Sequence, residues 1–99
     1  MAEKLIYSYE TIFIIDANLE EDAVKALTEK FTSLISKNGT LESVDEWGKR
    51  KLAYEINDRT EGYYVLANFT ADGEFPKELD RQYRITDGIL RTIIIRKDK

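Results

Sequence analysis

The sequence predicts an α+β fold: a βαββαβ chain whose four antiparallel strands form one sheet, with two helices on one face. Three observations lead there. Apolar residues recur at helical spacing in two separate stretches, and β-branched and aromatic residues crowd four others. The order of these six segments gives two βαβ halves joined by a hairpin.

The first strand runs from Ile6 to Ile15 and gives way at Asp16-Ala17-Asn18 to a helix start. Glu20, Glu21 and Asp22 suit a first helical turn, where the backbone dipole favours anions. Val24, Leu27, Phe31, Leu34 and Ile35 then repeat at helical spacing, and Asn38-Gly39 stops the helix. Leu41 to Ile56 reads as a long strand interrupted or bulged near Gly48. The polar stretch from Asn57 to Gly62 reads as a turn, and Tyr63 to Thr70 as the returning strand. After the loop Ala71-Asp72-Gly73-Glu74, Pro76 opens a second helix with Phe75, Leu79 and Tyr83 on one face. Asp87-Gly88 ends it, and Ile89 to Arg96 forms the last strand. This is the pattern of a ferredoxin-like sandwich, here a single domain over residues 1–99, with no linker or low-complexity segment to divide it.

Composition narrows the chemistry. The chain has no cysteine and no histidine. Disulfides, thiolate metal sites, imidazole general bases and imidazole metal ligands are therefore all excluded. No metal, cofactor or catalytic residue is expected. The carboxylates of the first helix (Glu20, Glu21, Asp22, Glu29) read as capping and a solvated face, not as acid catalysts. No apolar run approaches the roughly 20 residues of a membrane span. The start, Met1-Ala2-Glu3-Lys4, lacks the basic and apolar regions of a signal peptide. A soluble cytoplasmic protein is expected.

Charge is unevenly spread within a net of −4. Residues 1–46 carry four lysines and no arginine against ten acids, a balance of −6. Residues 47–99 carry eleven basic residues against nine acids, a balance of +2, and every arginine lies there. Within this half, Trp47-Gly48-Lys49-Arg50-Lys51-Leu52-Ala53-Tyr54 puts three consecutive cations between aromatics. Cations bind phosphate and aromatics stack on unpaired bases, so these residue types together suit RNA. Successive strand residues point to opposite faces, so Arg50 and Lys51 cannot serve one flat surface. An edge strand would let one meet RNA and the other a protein.

The strands also hold more apolar residues than one buried face needs. Thr11, Phe13 and Ile15 share a face, yet Ile12 and Ile14 lie on the other. Tyr63, Val65, Ala67 and Phe69 oppose Tyr64 and Leu66, and Ile93-Ile94-Ile95 supplies both faces. Two helices cover only one side of such a sheet, so the excess points to a partner on or beside the open side. Edge strands offer a second docking route.

Taken together, the chain resembles the bacterial small-subunit ribosomal protein S-six family from end to end. The features that carry the likeness are Tyr9-Glu10, the string Gly48-Lys49-Arg50-Lys51-Leu52-Ala53-Tyr54 after Trp47, Gly62-Tyr63, and the series Arg81, Arg84-Ile85 and Arg91. The resemblance implies a structural, non-enzymatic component of the 30S ribosomal subunit with a ferredoxin-like fold. It implies binding to the central domain of small-subunit rRNA as a heterodimer with ribosomal protein S-eighteen, a basic partner that offsets the acidic charge. Lys49, Arg50, Lys51, Arg91 and Arg96 are the residues expected to meet RNA, and Trp47, Leu52 and Tyr54 those expected to meet the partner. Arg81 and Arg84, three apart on the second helix, are equally suited to pairing with Glu78 and Asp80. Two departures stand out: the chain stops at Lys99, where longer members carry a tail, and position 90 is Leu where some relatives place Arg.

Two other readings share the topology. An RNA-recognition motif would stack bases on Gly62-Tyr63-Tyr64-Val65, but the regular aromatic spacing is missing and the basic run lies on another strand. A small-molecule regulatory or acylphosphatase-like domain would want a glycine-rich cradle, and the five glycines do not cluster.

Overall fold

The computed structural model describes residues 5–56 and 59–97, with the side chains at 53–56 and 59 outside that description. The order is β1 (Ile6–Asp16), α1 (Glu21–Asn38), β2 (Gly39–Ile56), β3 (Arg59–Asp72), α2 (Phe75–Ile85) and β4 (Ile89–Arg96). The strands form one antiparallel sheet in the order β2-β3-β1-β4, which leaves β2 and β4 as its edges. The expected ferredoxin-like sandwich is the one found.

The core lies between the helices and one sheet face. On that face β1 contributes Tyr9, Thr11, Phe13 and Ile15, and β3 contributes Val65, Ala67, Phe69 and Ala71. Val24, Phe31 and Ile35 of α1 and Phe75, Leu79 and Tyr83 of α2 meet them, as the helical spacing requires. The ring of Phe31 lies 5.5 Å from Phe13 and 4.6 Å from Tyr83, so three aromatics tie both helices to β1. The ambiguity at Tyr9-Glu10 resolves with Tyr9 in the core and Glu10 on the open side.

Helix boundaries follow local chemistry. Asp16 accepts a hydrogen bond from the Asn18 amide at 2.9 Å in the turn before α1. Asp72 accepts from the amides of Glu74 and Phe75, and Pro76 sits in the first turn of α2.

The expected turn from 57 to 62 is shorter in the structure. β3 already runs from Arg59, and Lys51 stands opposite Glu61, an opposite-charge pair that favours continued pairing. Asn57 and Asp58 lie outside the described residues. Asp16 pairs with Gly62, so the β2–β3 hairpin runs on beyond the end of β1.

Candidate nucleic-acid interface

Register shifts in β2 and β4 decide which cations face which side of the sheet; in β2 one falls at Glu42, between Leu41 and Ser43, and the next lies just before the basic run. In β2, Glu46 pairs with Val65 and Gly48 with Tyr64, leaving Trp47 as the extra residue. Gly48 takes φ +82°, a left-handed conformation that costs a residue without a side chain nothing. Past this point Gly48 and Arg50 stand on the open face, opposite Tyr64 and Gly62, while Lys49 and Lys51 stand on the helix side, opposite Tyr63 and Glu61. In β4, Ile15 pairs with Ile89 and Ile14 with Arg91, so Leu90 is the extra residue. Both Ile89 and Ile94 thereby reach the core while Arg91 faces the open side.

The row Gly48, Tyr64, Ile14, Arg91 crosses all four strands on the open face. Over it the indole of Trp47 lies stacked on the Tyr64 ring, with centroids 5.9 Å apart and planes 15° apart. The Trp47 N–H donates to Asp45 Oδ2 at 3.0 Å, which fixes the ring from the side. The Arg50 guanidinium lies 5.8 Å from the indole centroid, and its Nε–H donates to the Trp47 carbonyl at 3.4 Å. A cation, two stacked rings and a second cation from β4 therefore share one surface. Trp47 keeps 38% of its area exposed, and Ile93 and Ile95, farther along the same face, keep 45% and 46%. The apolar excess expected there is present.

The structure divides the five cations expected to meet RNA. Arg50 and Arg91 are together on the open face. Lys49 and Lys51 of β2 and Arg96 of β4 lie on the helix side, where Lys49 stands 5.9 Å from the Tyr63 centroid and Arg96 sits 3.9 Å from that of Tyr7. Among the residues expected to meet a partner, Trp47 is exposed as described. Leu52 is instead buried, with its side chain beside Gly62, where the Ile14 side chain also lies. The Tyr54 side chain lies outside the described residues.

Arg81 and Arg84 are engaged on their own helix. Arg81 makes a two-point contact with Glu78 at 2.9 and 2.8 Å, and Arg84 meets Asp80 at 2.9 Å. Hydrogen bonds from Arg81 and then Gln82 hold the Glu78 carboxyl down at about 2. Sequence reasoning placed Tyr64 on the open side but did not pair it with Trp47. The signal was present in the glycine at 48, which marks the bulge, but the cross-strand register was needed to use it. Among the described residues there is no cluster of acidic side chains fit to hold a metal ion.

Comparison with known proteins agrees with this architecture. A family model described as Ribosomal protein S6 matches residues 8–96. The small ribosomal subunit protein bS6 of Clostridium perfringens is 60% identical over 92 residues, covering 92% of this chain and 97% of its own. The protein of the same name from Clostridium novyi is 53% identical over 93 residues, covering 93% and 98%. Among solved structures, 30S ribosomal protein S6 from Thermotoga maritima superposes with a TM-score of 0.89 at 35% identity, covering 94% of this chain and 89% of that one.

Proposed function

The chain belongs to the ribosomal protein S6 family, a non-enzymatic component of the bacterial small ribosomal subunit, and from that premise we propose that it binds the central domain of small-subunit rRNA together with ribosomal protein S-eighteen. The observation that carries this reading is the open sheet face, where Arg50 and Arg91 flank the Trp47–Tyr64 stack. Guanidinium groups suit phosphate because their donors form a planar fork, and stacked rings offer a flat apolar surface to a base or an apolar side chain. Two arginines on this face are few for tight binding by an acidic chain alone, since phosphate contacts supply most of such affinity. A basic partner seated beside them supplies the remainder. Ile93 and Ile95 are the apolar part of the surface such a partner would cover.

The experiment is a titration of labelled central-domain rRNA at fixed salt, with this protein alone and premixed with S-eighteen. Binding that is poor for the chain alone and rises sharply in the mixture is the expected result. Equal affinity with and without S-eighteen would refute the heterodimer and leave the stacked rings as a self-sufficient RNA platform.

A further inference from the structure

A second surface lies on the opposite side of the sheet, where α2 runs beside the edge strand β4. It is a groove of about 410 Å³ lined by Tyr9, Pro76, Lys77, Thr92, Ile94 and Arg96, with Asp80 at its side. The edge next to it has a definite polarity. The Ile93 carbonyl accepts from Thr11 of β1, and the Lys97 amide donates to Ser8 of β1. Odd-numbered residues of β4 therefore turn their backbone groups inward. By strand alternation, Thr92 and Ile94 turn theirs outward, to the edge that no strand of the described residues occupies. The residues whose side chains line the groove thus also present the outward-facing backbone groups.

That coincidence fits one kind of ligand: an extended peptide that adds a fifth strand beside β4 and sends alternate side chains into the groove. Tyr9, Pro76 and Ile94 make the groove apolar. Lys77 and Arg96 outnumber Asp80, whose carboxylate is in any case held by Arg84 at 2.9 Å. A second copy of this chain is a poor match, because β4 reads Ile-Leu-Arg-Thr-Ile-Ile-Ile-Arg and brings no carboxylate to Lys77 and Arg96. We propose that the α2–β4 groove and the β4 edge together dock an extended segment of another protein, apolar at alternate positions and carrying an acidic residue between Lys77 and Arg96.

The test uses the full chain without RNA. Octapeptides are selected on it from a random library, and amide hydrogen exchange is measured with the selected peptide at saturation. The expected sequences alternate apolar residues and carry Asp or Glu. Exchange at Thr92 and Ile94 slows about tenfold or more, as newly hydrogen-bonded amides must. Lys77→Glu, in the exposed first turn of α2, weakens peptide binding about three- to fivefold, the range of an exposed charge pair. Thr92→Pro removes an outward N–H that β1 does not use, so the variant keeps its fold and loses the peptide. Absence of enrichment, protection at β2 in place of Thr92 and Ile94, or indifference to Lys77→Glu would each overturn the proposal.

Discussion

The phenol of Tyr83 on α2 and the hydroxyl of Thr11 on β1 lie 3.0 Å apart inside the core and join a helix to a strand 72 residues away. The Thr11 hydroxyl has one proton, and it donates that proton to the Ile93 carbonyl at 3.0 Å. Tyr83 must therefore donate to Thr11. One chain of hydrogen bonds ties α2, β1 and β4 together, and no described buried side-chain polar atom is left without a partner. Tyr83→Phe removes the donor but keeps the ring between Phe13 and Phe31. The expected loss is about 1 kcal/mol of stability at neutral pH, read from the denaturant midpoint.

The same tyrosine sets an alkaline limit. Burial pushes its phenol well above the ordinary value. The unfolded chain ionises this group from about pH 10 while the folded chain holds it neutral. Stability is therefore complete below that pH and falls as pH rises toward the folded value. Denaturation at pH 7 through 11 should show a steeper alkaline loss in the native chain than in Tyr83→Phe. Parallel curves would mean that the phenol ionises without unfolding.

Glu78 gives the opposite dependence. Its carboxyl, held down at about 2 by Arg81 and Gln82, stays charged where an ordinary glutamate, near 4.3, has taken up a proton. Its contribution is present above the ordinary value and is lost as pH falls through about 2. A carbon-detected NMR titration should give Glu78 a midpoint clearly below the ordinary glutamate value, and Arg81→Ala should bring it back up.

Gly62 has no room for a side chain. A Cβ there would run into the Ile14 side chain and lie 3.3 Å from the Ile15 carbonyl oxygen. Gly62→Ala should cost about 1–3 kcal/mol through forced displacement of β1 from β3. Thermal unfolding measures it directly, and Ile14→Ala in the same background should restore part of the loss.

Arg50 and Lys51 are neighbours in sequence but face opposite sides of the sheet. Arg50→Ala should weaken assembly with rRNA and S-eighteen and lower the salt dependence of binding by about one unit of slope, as loss of one phosphate contact does. Lys51→Ala should leave the slope closer to native. Equal effects from the two would contradict a binding surface confined to the open face. Both variants should unfold at the native midpoint.

Much of this was legible in the residues alone. Spacing found the helices because Val24, Phe31 and Ile35 return to one side every three or four positions, and β4 was bounded correctly by Gly88 and its isoleucines. The open-face apolar excess showed as Ile12, Ile14, Tyr64 and Leu66 falling out of alternation. What escaped was whatever depends on pairing between distant segments. The sequence does not say that Tyr64 lies beside Trp47, that Leu52 lies beside Gly62, or that Arg96 shares a side with Lys49. Those are facts of register, fixed by which residue of one strand stands against which of another.

The unpaired Trp47 has a consequence of the same kind. In a strand, side is a matter of odd and even, so one supernumerary residue acts as a frameshift does in a message. Everything after it is read from the other side. Were Trp47 an ordinary rung of the ladder, Lys49 and Lys51 would occupy the open face and Arg50 would be turned under the helices. The composition of the basic run would be unchanged and its meaning inverted. The phase of those three letters, and not their presence, is what the molecule holds in place at Gly48.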